Sequence, residues 1–388
     1  MKEEDIPKRE KEKGVGNRSF VIIFTSLFLC LLFVGLTAVF SLRKNANAIS
    51  YFAPYSESEN SGFLCDHAEA QKLFPFLNGV LKISPDRISF LSAVGSEIYS
   101  VPIQMENPKG VFSQNFAFIY DEGGFSSILF DKNGKLFQAQ LDGAITYAAV
   151  SNTGISALII ERLDTKGTVK VFDKEGVDSA SWESRDSGFP VAAAFSTDSA
   201  VLSISLVGTD ASVVQSSLRQ FSLKESKDTL AVENLGVYTL PASRIFPLLA
   251  PFSGTDIFLS GASSLVSIRD ASQNSVDFPC PQVYSVFSTP SGMALLFSEG
   301  IGQEIRYTHI DFSLKNGSSF VLGNQLVAAD SYSSFLLLAM DDKLLKIDAV
   351  SGELLYERTM EASVIRVGFV NANTVIVVTE TGVSEFML

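Results

Sequence analysis

The chain has 388 residues, of which 46% are hydrophobic and only 19% charged, with 31 phenylalanines and a formal net charge of −13. That length holds one large domain or two medium ones with a true core, and abundant Phe, Val, Ile, Ser and Thr beside a single Trp favour strands over helices. The first 18 residues hold six Lys/Arg against five Asp/Glu, so the acidity belongs to the rest of the chain; this argues against nucleic acid, whose affinity comes largely from Lys/Arg on phosphates, and against broad contact with an anionic lipid surface.

In chain order, residues 1–18 are charged and rich in Lys and Glu and read as a cytoplasmic tail. Residues 19–42 contain no charged side chain, and their apolar run is long enough for a transmembrane helix. The alternative is a cleaved signal peptide, for which Ala46-Asn47-Ala48 has the form of a cleavage site. The length of the run and the charges at Arg43 and Lys44 favour an uncleaved anchor. Six basic residues before the run against two just after it place the N-terminus inside, so the expected topology is single-pass in the cell membrane with an extracytoplasmic C-terminal domain. Residues 43–78 read as a stalk or linker, with a helical turn or two within 66–77 before Pro75.

From residue 79 to 388 the pattern changes. Short apolar or alternating runs recur, separated by Gly, Asn, Asp, Ser and Pro clusters. Copies of an apolar strand, a small polar turn and a more apolar strand start near Val111, Ile145, Val191, Ile245, Val283, Gln325 and Val364. Hairpins with Asp and Gly in the turn follow several of them, at Asp131/Gly134, Asp173/Gly176 and Asp348/Gly352. Four strands per copy is the arrangement of a propeller blade. The expected fold is therefore an all-β propeller of about seven four-stranded blades. The ring would close by pairing the C-terminal strands with residues 95–103. The strand at 87–94 is then left over, so eight blades remain open. A two-sheet sandwich is the competing architecture, but it needs no four-strand repeat.

The hairpin at residues 346–356 resembles the blade signature of pyrroloquinoline-quinone-type repeats, with Tyr356 where those repeats usually have Trp. The whole arrangement resembles an uncharacterised bacterial family of membrane-anchored, PQQ-like or WD-repeat-like propellers, chiefly Gram-positive. The resemblance implies a fold and brings no established site. Quinone-dependent catalysis is not implied, because the chain lacks the repeated docking Trp residues.

The chemistry is sparse. The two histidines, His67 and His309, do not suffice for a Ser-His-Asp or Cys-His site, and no phosphate-binding, nucleophile-elbow or zinc-protease motif occurs. No enzymatic activity, cofactor or metal is expected. Cys65 and Cys280 are a possible disulfide joining stalk and ring. Turns between second and third strands share one rim of a propeller, and here they carry Asp121, Glu122, Glu161, Asp164, Asp210, Glu299, Glu304, Asp341, Asp342 and Glu380. That acidic rim is the candidate surface for a protein partner with a basic segment or for Ca²⁺, against the plainer reading of solvated hairpin tips. The expected function is a non-enzymatic binding scaffold at the cell envelope. The alternatives are a sensory or regulatory subunit signalling through a partner, or an extracytoplasmic enzyme.

Overall fold

The second strands of the repeats are apolar on both sides. Ala117–Asp121, Ile257–Gly261 and Gly292–Ser298 are buried at every position, and Ser156–Glu161, Phe335–Met340 and Thr374–Thr379 at all but one. A sheet with such strands needs cover on both faces. The fourth strands are more exposed, completely so in Ser272–Asp277, apart from the short strand Gly62–Leu64, whose first two residues are buried. This gradient orients each sheet radially, with apolar strands inside and a wet edge outside.

The computed structural model describes residues 61–388, apart from 211, 227–228, 279–281 and 324. Among these residues are eight antiparallel four-stranded sheets. Blades 1 to 7 occupy residues 73–102, 108–140, 144–184, 189–239, 248–277, 282–323 and 326–359. Blade 8 takes residues 364–387 and is completed on its outer edge by Gly62–Leu64. Eight hydrophobic clusters fill the eight blade-to-blade interfaces. Leu81, Ile88 and Phe90 of blade 1 meet Ile119 and Ile128 of blade 2, for example, and Leu73 and Val80 of blade 1 meet Ile376 and Val378 of blade 8.

The expectation of about seven blades is corrected to eight. The seven repeat starts read from the sequence are blades 2 to 8, and the additional one is blade 1, built of Leu73–Phe76, Gly79–Ser84, Arg87–Ser92 and Glu97–Pro102. A helix does form at His67–Ala70, with the Asp66 carboxylate capping the Glu69 N–H at 2.8 Å. Pro75, however, lies inside a strand. It is tolerated because innermost strands have one unpaired edge, and Pro108, Pro190 and Pro251 occupy innermost strands too.

Closure also differs from the expectation. Residues 95–103 supply the outer strand of blade 1, and the strand that closes the ring is Gly62–Leu64, paired with Gly382–Ser384. Gly62 and Gly382 are both dictated by backbone proximity: a Cβ on either would lie 2.6 or 2.5 Å from a carbonyl of the facing strand. Phe63, 2% exposed, anchors the strand in the interface between blades 8 and 1.

The membrane topology is corrected as well. No helix among the described residues is long and apolar enough to cross a membrane, and residues 19–42 fall outside them. The single-pass anchor, the cytoplasmic tail and the extracytoplasmic placement thus have no support among the described residues.

Replacing Phe63 with Ala should cost about 3 kcal/mol of unfolding free energy and speed amide hydrogen exchange across 382–387. Unchanged protection there would show that the three-residue strand does not hold the ring shut.

Candidate functional site

The eight innermost strands surround a central channel that opens between the turns joining first and second strands, forming a cavity of about 1200 Å³. Its wall combines aromatic rings, among them Phe74, Phe112, Phe287 and Phe369, with uncharged hydroxyl and amide side chains such as Gln114, Asn152, Thr197 and Ser331. The mouth is sewn together across blades. Gln114 N–H donates to Asn152 Oδ1 (3.3 Å), Asn152 Nδ2 to the Thr197 carbonyl (3.4 Å), and Thr197 N–H to the Phe252 carbonyl (2.9 Å). Ser288 Oγ of blade 6 donates to the Pro251 carbonyl at 2.6 Å. The collar is therefore fixed before any ligand arrives.

Asp198 is the strongest of these ties. Its Oδ1 accepts from Ser196 Oγ (2.5 Å) and Ala200 N–H (3.1 Å) in blade 4, and its Oδ2 from Ser253 Oγ (2.5 Å) and Gly254 N–H (2.9 Å) in blade 5. Partial burial works to raise its pKa, but the hydrogen bonds from Ser196, Ser253, Ala200 and Gly254 outweigh it and hold the carboxyl at about 2.

Among the described residues, two charged side chains line the channel, Asp330 on blade 7 and Arg366 on blade 8. Asp330 Oδ2 accepts the Phe369 N–H at 2.7 Å. Burial raises its pKa, and the backbone hydrogen bonds from Phe369 and Ser331 oppose that only in part. The Arg366 guanidinium lies over the Phe74 ring, 4.1 Å from its centroid, with one long hydrogen bond of 3.4 Å from a terminal nitrogen to the Leu73 carbonyl. Burial lowers its pKa, and among the described residues no carboxylate pairs with it.

The acids expected on one rim do all fall at second-to-third-strand turns, at the opposite end of the blades from the channel mouth. They are not uniformly free. Asp121 is buried, and its Oδ1 accepts the Asn107 N–H at 2.7 Å. Glu122 faces Lys109 at 3.7 Å, Asp164 faces Arg162 at 3.3 Å, Glu299 faces Arg306 at 3.5 Å and Glu380 faces His67 at 3.6 Å. Asp210 ends the second strand of blade 4. Glu161, Glu304, Asp341 and Asp342 are exposed. Sequence reasoning missed the channel pair because Asp330 and Arg366 sit singly in apolar strands; their one signal was a charge where an innermost strand should be apolar or small.

Cys65 and His309 do not line the channel. Cys65 is a free, buried thiol; burial, with Asp66 and Glu69 nearby, pushes its pKa up to about 11, the opposite of a reactive cysteine. Its proposed disulfide partner, Cys280, lies outside the described residues. His309 is 5% exposed, with Nε2 3.0 Å from Thr289 Oγ1 and 3.3 Å from Ser291 Oγ. Burial lowers its pKa. No group of three or more His, Cys, Asp or Glu among the described residues could hold a metal ion.

A family model described as "Family of unknown function (DUF5711)" matches residues 55–388. The chain belongs to this family. No curated protein matches it. Several solved structures are similar in fold. BamB from Moraxella catarrhalis is 10% identical with a TM-score of 0.53, over 87% of this chain and 100% of that one. The computationally designed Ika8 protein is 15% identical with a TM-score of 0.54, over 81% and 95%. Apo AztD from Citrobacter koseri is 12% identical with a TM-score of 0.53, over 79% and 88%. At such identities the likeness concerns the fold alone.

The depressed Asp198 pKa gives a signed test. Its stabilisation is present above the unfolded pKa of about 3.9 and is lost as pH falls towards the folded value. Allowing for solvent screening at this exposed carboxylate, Asp198→Ala should cost about 1 kcal/mol near neutral pH. Thermal melts of wild type and variant should converge between about pH 5 and pH 2.

Proposed function

We propose that this chain is a non-enzymatic binding scaffold that receives its partner at the channel mouth. The observation that carries the reading is the mouth itself, a large preformed cavity to which all eight blades contribute, whose turns are tied to one another by hydrogen bonds. A ligand meeting such a wall finds rings for apolar contact and neutral donors and acceptors for orientation, the composition of a recognition site. Preorganisation lowers the ordering cost of binding.

A second reading keeps the acidic rim as a docking face for a basic segment. It is favoured by Leu163 and Ile301, which protrude fully or almost fully exposed from turns that also carry Glu161 and Asp164, and Glu299 and Glu304. Apolar tips among acids suit a partner with a basic, amphipathic surface.

Affinity capture with full-length protein separates the two. Narrowing the mouth with Gln114→Trp and Ser331→Trp should abolish capture of the bound partner with little change in melting temperature. Replacing Glu161, Glu304, Asp341 and Asp342 with their amides should leave that capture intact. Loss of capture by the amide variant alone would move the site to the acidic rim.

A further inference from the structure

The channel holds a guanidinium that the protein leaves largely unused. Arg366 forms a single long hydrogen bond, to the Leu73 carbonyl, although a guanidinium carries five N–H donors. It is half-buried in the channel wall, and among the described residues no carboxylate pairs with it. It lies over the Phe74 ring, 4.1 Å from the ring centroid. A partly buried, uncompensated charge has a cost that an incoming anion would relieve. A planar guanidinium fits a carboxylate, which it can bind with two parallel hydrogen bonds.

Three further features restrict the anion. The unpaired edges of the innermost strands present backbone N–H and C=O groups to the channel, partners for an extended backbone. The protein already seats one carboxylate on such a donor, since Asp330 accepts the N–H of Phe369 at 2.7 Å. Phe369 follows Arg366 by three residues on one strand, Val364–Asn371, which runs towards the mouth. The Asp330 carboxylate, beside Gly368 and Phe369, therefore sits nearer the mouth than Arg366 on that strand. A ligand whose anionic end reaches Arg366 passes Asp330 first, which disfavours a second negative charge just upstream of that end.

We propose that the channel is a receptor for the free carboxyl end of an extended peptide, with Arg366 as its carboxylate-binding residue and Asp330 selecting against acidic residues just upstream. This rests on the channel mouth being the binding site.

The test uses full-length protein, immobilised and exposed to a pool of random hexapeptides with free carboxyl ends, in parallel with the same pool C-terminally amidated. Retained peptides are identified by mass spectrometry. The free pool should be retained at least about tenfold better than the amidated one, the scale of a lost charge-assisted pair, and be depleted of Asp and Glu in the residues just before the carboxyl end. Arg366→Gln should abolish the difference. Arg366→Lys, which keeps the charge without the fork, should restore only part of it, and matching melting temperatures check that both variants are folded. Equal retention of both pools, no retention of either, or indifference to Arg366→Gln overturns the proposal. Displacement of the peptides by an equal concentration of acetate would also overturn it, by showing that the site reads a small carboxylate. If these arms fail while the Gln114→Trp, Ser331→Trp variant still loses its partner, the scaffold reading stands without the carboxylate receptor.

Discussion

Two-sided burial of the second strands is the constraint from which the architecture follows. A run such as Phe335–Met340 has five buried residues out of six, so neither face of its sheet can meet water. An isolated sheet of four strands has no means of meeting that demand, and a linear stack would leave two apolar faces bare at its ends. A ring leaves none. The eight interface clusters are thus equivalent solutions of one problem. The last of them, where Phe63, Leu73 and Val80 meet Ile376 and Val378, is the one that makes the set finite.

The ring also creates the site. Radial sheets converge on the axis, where their innermost strands keep one edge unpaired, and eight such edges enclose a space that no single blade could form. Proline is tolerated along these edges for the reason that makes them useful, because their donors and acceptors are not consumed by a neighbouring strand. The turns at the mouth are short and rich in Ser, Asn and Asp. The side chains that shape each turn also reach the next blade, as Asp198 and Asn152 do.

Much of this was legible in the residues. The apolar strand followed by a turn and a second apolar strand marks blades 2 to 8, because burial on both faces leaves a dense local signal. Blade 1 was obscured where Leu73–Phe76 is interrupted by Pro75 and preceded by a helical turn, so its innermost strand looked like the end of a helix. The closing strand Gly62–Leu64 is too short to show any period, and its pairing with Gly382–Ser384 is non-local. The acidic residues were assigned to second-to-third-strand turns by strand order alone, whereas their ion pairs depend on neighbours brought close by folding. Arg366 and Asp330 were hard to pair for a related reason: each is a lone charge in its own strand, and a site assembled from single residues on different blades has no spacing to read.

The closing contact has a consequence for how the molecule is made. Ser61 hydrogen-bonds Glu385 across a sequence separation of 324 residues, so a strand that leaves the ribosome ahead of every blade must wait for one of the last before it has a partner. Until then the nascent ring has two open flanks, and a chain stopped early keeps them open. Such a fragment carries an unsatisfied strand edge and a bare apolar interface, features that quality-control proteases and chaperones can recognise. Translation to the final blade is, in this architecture, the step that conceals the signal of incompleteness.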